Sequence, residues 1–276
     1  MTEIQQSRLY AAYLTRLGWQ TPKLDGSYVF IKNFPIIGGF AKIQRVKKLP
    51  TLGVLLPFLA RYNVGRIVVE PDASVKQIQF AHWCTRLSKH MKLLRSPYLA
   101  TKTRVIDLRT SEKYIFRSFS EAKRRAVRRA IKCKVIIQES HDIDAFIKLK
   151  NTSAGFLGFI TTTGIKPLWN IFSPNHATIL TDKKYAAGVL LLFWNKTAYY
   201  WLAGSTKSGK KLFTPTLLVW EALKLSKKKG CKRFDFVGIW DERMPKTNLG
   251  WIGFTKFKEG FGGQSLYYPL NTEQNA

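Results

Sequence analysis

Acidic residues are scarce in this sequence. The 276-residue chain carries 17 Asp plus Glu against 46 Lys plus Arg, a formal net charge of +29. A positive field of that size points to a polyanionic partner: nucleic acid, anionic lipid or a small polyanion. Histidine is rarer still, with four residues. His82-Trp83-Cys84 puts two possible ligands together, but His90, His141, His176 and the other cysteines show no paired spacing, so no metal centre is expected. The scarcity of histidine and the absence of a Gly-x-Ser-x-Gly elbow argue against a serine triad. The three cysteines, Cys84, Cys133 and Cys231, are odd in number and widely spaced, which suits buried thiols in a reducing compartment better than a disulfide frame. No apolar run reaches the roughly 18 to 20 residues that a transmembrane helix requires. The first six residues lack the charged and apolar regions of a secretory signal, so a cytoplasmic location is expected, with charge-driven contact at the inner face of a membrane as an addition.

What is present is enough apolar material for a core: 45% hydrophobic and 13% aromatic residues. That excludes a disordered basic tail, and the length allows one large domain or two of about 140 residues. Tyr10, Tyr13, Leu14 and Leu17 recur at helical spacing before Gly18. Short β-branched or aromatic runs follow at 28–31, 41–46 and 65–70, then a helix over about 74–87 and a strand over 104–108. The second half opens near His141 with a helix to about Thr152. A hairpin joins 185–194 to 198–203 around Asn195-Lys196-Thr197. Thr214-Pro215 makes an N-cap and N1 pair for a helix that Gly230 ends, and 233–237 returns as a strand with Phe234 and Phe236 on one side. The pattern is mixed α/β in two closely packed halves, 1–139 and 140–276, the last residues packing back on the first half.

Three segments carry chemistry. Over 118–134, Ser118 and Glu121 form a capping box, and Phe119, Ala122, Ala126, Ala130 and Ile131 line one helix face. Lys123, Arg124, Arg125, Arg128, Arg129 and Lys132 occupy the other face. This is either a solvated helix face or, since arginine predominates and suits bidentate phosphate contact, a nucleic-acid surface. The stretch Gly204-Ser205-Thr206-Lys207-Ser208-Gly209-Lys210-Lys211 approaches a nucleotide-hydrolase phosphate loop but has Lys211 where a magnesium-binding hydroxyl belongs, and its helix begins only at Pro215. An anion cradle that uses Lys207, Lys210 and Lys211 or a plain basic turn are the readings left. Residues 253–263 alternate aromatic and cation before a run of glycines, which fits either stacking on nucleic-acid bases or a strand with one buried face.

The runs Tyr199-Tyr200-Trp201-Leu202-Ala203-Gly204-Ser205, Thr214-Pro215-Thr216-Leu217-Leu218-Val219-Trp220-Glu221-Ala222, Lys229-Gly230-Cys231-Lys232-Arg233-Phe234-Asp235-Phe236-Val237-Gly238-Ile239 and Phe257-Lys258-Glu259-Gly260-Phe261-Gly262-Gly263 occur in the order and spacing of one family. By these blocks the chain resembles the FemABX family of aminoacyl-tRNA-dependent peptidyltransferases, which build peptidoglycan interpeptide bridges. The likeness is strongest over 185–268 and continues more weakly through Glu70-Pro71, 103–108 and 125–131.

The resemblance implies an α/β (α+β) fold of two tightly packed GNAT-like acyltransferase domains, mixed sheets flanked by helices. It also implies an enzyme that needs no cofactor, with aminoacyl-tRNA as co-substrate and a nucleotide-linked or lipid-linked muropeptide as acceptor. Lys258 falls on the family's functional lysine, Phe257 shapes its pocket, and Tyr200 matches a tyrosine that contacts the precursor. Asp107 and Asp235 lie in matching blocks as further substrate-binding candidates. Lys123, Arg124, Arg125, Arg128, Arg129, Lys207, Lys210 and Lys211 are the tRNA-binding candidates. The chain departs from the pattern over 152–169, where an arginine and a tyrosine for precursor phosphates give way to Ala154-Gly155-Phe156 and Lys166-Pro167-Leu168-Trp169. Tyr10 replaces a tryptophan of the opening helix, no lysine follows at Leu14, and the coiled-coil arm of larger members is lacking. Two rival functions remain: an acyl-CoA-dependent GNAT-type N-acyltransferase, against which the loop over 207–214 lacks the pyrophosphate-binding pattern, and a non-catalytic RNA-binding protein.

Overall fold

The computed structural model describes residues 3–35, 38–155 and 158–271. It divides into two compact units, residues up to 102 together with those from 266 on, and residues 103–265.

In the first unit, α1 (Arg8–Arg16) is capped by Ser7, whose hydroxyl accepts the Tyr10 N–H, and Gly18 ends the turn at φ 78°. A short pair, β1 (Lys23–Leu24) and β2 (Ser27–Tyr28), precedes β3 (Phe30–Phe34) and β4 (Gly38–Gln44). Then come α2 (Leu52–Arg61), β5 (Val64–Glu70), α3 (Gln77–Ser88) and β6 (Lys92–Leu93). The sheet order is β3-β4-β5-β6, with the first pair antiparallel and the others parallel. Alternation puts Ile31, Ala41, Ile43, Ile67 and Val69 on one face, where Leu55, Leu59, Phe80 and Leu87 from the helices close the core. Helix α2 was not anticipated, because its apolar run 52–60 was too continuous to show a period.

The second unit holds a seven-stranded mixed sheet in the order β13-β7-β12-β11-β10-β9-β8. Its strands are β7 (Lys102–Asp107), β8 (Ile137–Ser140), β9 (Ala177–Asp182), β10 (Ala187–Trp194), β11 (Thr197–Ser205), β12 (Arg233–Asp235) and β13 (Gln264–Tyr267). Its helices are α4 (Glu112–Ser118), α5 (Glu121–Lys132), α6 (Ile143–Ala154), α7 (Gly158–Thr162), α8 (Ile165–Phe172), α9 (Lys207–Lys211), α10 (Thr214–Lys228) and α11 (Ile252–Glu259). Strand β10 is continuously apolar because both its faces are covered: Gly188 lies against Leu149 and Phe146 of α6, and Val189 and Leu191 share a core with Leu218, Val219 and Ala222 of α10. Trp194 pairs directly with Thr197, so the hairpin turns on Asn195 and Lys196, both at positive φ, a two-residue turn of the type that matches strand twist.

The α/β class read from the sequence holds. The boundary between units lies at 102/103 instead of 139/140, because β7 pairs with β12, and Val127 and Ala130 of α5 pack on Leu217 of α10. Ser120, two residues later than expected, caps α5, since Ser118 is still the last residue of α4. On α5, Val127 is buried while Ala122 and Ile131 are exposed, so the apolar stripe is rotated from the one read. Phe213 rather than Thr214 precedes α10, and the preceding loop contains α9, where a turn was expected. Residues 252–259 form a helix, not an alternating strand. Cys84 and Cys231 are buried thiols, but Cys133 is exposed. Among the described residues no helix is long and apolar enough to cross a membrane.

Candidate active site

Strands β11 and β12 run parallel from Thr197 opposite Arg233 to Tyr199 opposite Asp235, where the ladder ends. Two residues further on, at Trp201, β11 carries a bulge against β10, since Leu190 faces Leu202 and Leu191 faces Tyr200. Between the ends of the two strands opens a cavity of about 840 Å³, lined by Tyr200 to Ser205 on one side and Phe236, Val237 and Gly238 on the other, with further residues from β10, α6, α7, α9, α10 and α11 and with Phe213 and Trp251. Crevices at the carboxyl ends of parallel strands are the usual ligand sites of α/β sheets.

Lys258 reaches this cavity from α11. Phe254 precedes it by one helical turn, and its Nζ lies 4.8 Å from the Phe254 ring centroid. The Nζ donates to the carbonyl oxygens of Phe236 at 2.8 Å and Gly238 at 2.6 Å. Burial lowers its pKa to about 8, against the opposing pull of the Asp235 carboxylate. The turn that supplies those carbonyls is itself under tension: Val237 has φ 56°, a conformation β-branched residues rarely adopt, and Gly238 has φ 117°. Asp235 and Thr103 hold it there. The Asp235 Oδ1 accepts the Val237 N–H at 2.8 Å and the Thr103 hydroxyl at 2.6 Å, and the Thr103 Oγ1 accepts the Gly238 N–H at 3.0 Å.

Phe257 lines the same cavity, edge-on to Phe261 at 5.1 Å. Tyr200 is 8% exposed, against Phe234 and Phe236, and burial raises its hydroxyl pKa, so it stays protonated. Asp235 is not part of the lining; it is a buried support of the turn beneath Lys258. Asp107 is not brought to the site either. It faces Arg233, at the far end of β12 from the cavity, and its carboxylate is forked by Arg109, whose hydrogen bonds hold its pKa down to about 2. Both substrate-binding assignments are therefore replaced by these positions.

The basic candidates separate. Lys123 is folded inward, its Nζ 3.8 Å from the Phe257 ring centroid and 5.1 Å from that of Phe261, and burial lowers its pKa to about 8. Arg124 donates to the Arg117 carbonyl at 2.9 Å and to that of Phe119, which ties α5 to the end of α4. Arg125, Arg128 and Arg129 are exposed; Arg125 pairs with Glu121, and Arg129 lies 5.8 Å from the ring of Phe213, itself a cavity residue. On α9, Lys207 and Lys211 are exposed and Lys210 reaches the cavity lining. Over 152–169, Lys166 pairs with Asp144 at 2.9 Å, and Phe156 lies outside the described residues.

Sequence reading missed Lys150, Ser153, Phe213, Trp251 and Phe254 as lining residues. For Lys150 a signal existed: it follows Phe146 by four and precedes Ser153 by three, which places a cation on the inward side of α6. Among the described residues no group of three His, Cys, Asp or Glu side chains could hold a metal.

The model of the FemAB family matches residues 177–268, a segment that contains all four blocks of the resemblance and most of the cavity wall. This match supports the FemABX resemblance carried by the four blocks. Its fold is similar to that of the crystal structure of FemX, with a TM-score of 0.75 at 15% identity over 98% of this chain and 92% of that one. It is also similar to L-PGS from Bacillus licheniformis, with a TM-score of 0.57 at 12% identity over 95% of this chain and 88% of that one. No curated protein sequence matches it significantly. The match over 177–268 supports a transferase of the FemAB kind.

Proposed function

We propose that this protein acts as members of the FemABX family do and transfers an aminoacyl group from aminoacyl-tRNA to an amine on the stem peptide of a peptidoglycan precursor. The observation that carries the reading is Lys258, a partly buried ammonium pinned by two carbonyls in the lining of the β11/β12 opening. The amine nitrogen attacks the ester carbonyl carbon; a C–N bond forms, the ester C–O bond breaks, and the terminal ribose hydroxyl of the tRNA leaves with the proton that the amine gives up. Such a step needs alignment and stabilisation of developing negative charge more than it needs a protein nucleophile. Lys258 has one N–H beyond the two its carbonyl partners take, and that N–H serves the ester oxygen.

The cationic side chains beside the cavity support a tRNA donor. Arg129 neighbours Phe213 and Lys123 neighbours Phe257, so α5 runs between two aromatic residues of the cavity lining. Arg128 and Arg129 face solvent on this helix and suit phosphate contact. On this reading the reaction takes place in the cytoplasm, at the step where the precursor carries its nucleotide or lipid phosphate.

The test is to incubate the purified protein with a mixture of charged tRNAs and a nucleotide-linked muropeptide and weigh the product, with acyl-CoA as a parallel donor. A tRNA-dependent gain of one aminoacyl residue supports the reading. Acylation from CoA alone would overturn it in favour of a CoA-dependent N-acyltransferase, and no transfer to nucleotide-linked or lipid-linked acceptor would leave an RNA-binding protein.

A further inference from the structure

The cavity has a second polar region, away from the carbonyls that hold Lys258. Helix α6 crosses β11 at Gly204, where a Cβ would stand 3.1 Å from the Lys150 Cα; the missing side chain lets the helix come that close and sets Lys150 in the cavity wall. One turn later Ser153 accepts the Ser205 N–H at 3.0 Å, and Ser205 leads through Thr206, the N-cap of α9, to Lys210. Lys150, Ser153, Ser205 and Lys210 all belong to the lining.

The charge balance there is one-sided. Three lysines line the cavity, and among the described lining residues there is no Asp or Glu. Lys258 is satisfied by two carbonyls. Lys150 is half-buried, burial lowers its pKa, and no described residue hydrogen-bonds or pairs with its ammonium. A cation partly removed from water without a counter-ion is costly, and a ligand that brings the anion removes that cost.

We propose that Lys150 and Lys210 form a carboxylate-binding subsite, so that the acceptor amine belongs to a peptide residue with a free carboxylate. This rests on the transferase reading for its place in the reaction, but not for the binding itself. A carboxylate is favoured over a phosphate because the cavity that Lys150 lines is also walled by apolar and aromatic residues, Trp201, Leu202, Phe213 and Trp251 among them, and a peptide carboxylate enters with its own apolar chain, whereas phosphates find open, fully hydrated arginines on α5.

Two synthetic tripeptides of the stem type that end in lysine test it, identical except that the carboxylate of the lysyl residue is free in one and a carboxamide in the other. Calorimetry should show the free acid binding about tenfold more tightly, the scale of one desolvated ion pair. Lys150→Met should remove that preference while leaving carboxamide binding within about twofold, and Lys150→Arg should retain it. In transfer assays the same loss appears in the acceptor KM. Equal loss for both peptides would overturn the subsite, as would a change confined to the KM for charged tRNA, which would make Lys150 a donor contact. Tight, carboxylate-dependent binding without any transfer would sustain the subsite and sink the transferase reading instead.

Discussion

Thr103 and Asp235 are joined by a 2.6 Å hydrogen bond, and together they hold the turn whose carbonyls grip Lys258. Thr103 is on β7 and makes no contact with the cavity, yet its hydroxyl is both donor to Asp235 and acceptor for the Gly238 N–H. Thr103→Val is isosteric but strips both bonds and leaves a buried carboxylate oxygen short of a donor. The expected outcome is a fall in kcat of roughly tenfold or more with KM for both substrates little changed, since a small displacement of an aligned group is costly. Thr103→Ser should restore most of the rate. Loss of rate in the serine variant equal to that in the valine variant would contradict a positioning role.

The proton on Lys258 separates activity from stability. Burial disfavours the charged form, so the folded protein releases this proton near pH 8, whereas the unfolded chain keeps it to the ordinary lysine value of 10.5. Between those limits the unfolded state binds more protons, and stability rises with pH. Lys42 and Lys123 are likewise lowered to about 8 by burial and push the same way. Transfer needs the cation and should fall as pH passes 8, after correction for hydrolysis of the ester, while the melting temperature holds or rises. A rate that stays level to pH 9.5 would remove charge on Lys258 from the mechanism.

Much of the second unit was readable because its local signals agree with its packing: the turn at Asn195 and Lys196, Pro215 at the start of α10, and Gly230 at its end, where φ is 76°. The failures have physical causes. Residues 253–263 show a period of two in aromatics and cations, but Phe254 with Lys258 and Phe257 with Phe261 are also four apart, and the cavity and core select that helical pairing. Asp107 and Asp235 looked equivalent in sequence. Which end of β12 each one meets is a matter of strand register, and that register is not local.

Charge on α5 should divide by function. Arg128→Gln with Arg129→Gln should weaken tRNA binding and reduce the slope of log affinity against log salt by roughly two, since each phosphate contact adds about 0.9 to the slope on duplex nucleic acid. Arg124→Gln should leave that slope nearly unchanged and lower stability instead, because its guanidinium serves the Arg117 and Phe119 carbonyls. Filter binding across a salt series, with thermal melts of each variant, separates the two. An Arg124 variant with the larger change in salt slope would place the nucleic-acid surface elsewhere on the helix.

The rotated apolar stripe of α5 offers the last test. Val127 is 1% exposed and packs on Leu217, whereas Ile131, four residues on, is 56% exposed. A charged side chain at 127 would be buried without a partner between α5 and α10, so Val127→Lys should destabilise by more than about 3 kcal/mol or prevent folding. Ile131→Lys should stay within about 0.5 kcal/mol of the parent, as surface substitutions do. Val127→Ala supplies a milder measure for the case in which the lysine variant does not fold: deletion of two buried methyl groups should cost about 1 to 3 kcal/mol. Urea unfolding of the three variants ranks them, and an order with Ile131→Lys as the most damaging would mean that α5 docks on α10 through the face first read from the sequence.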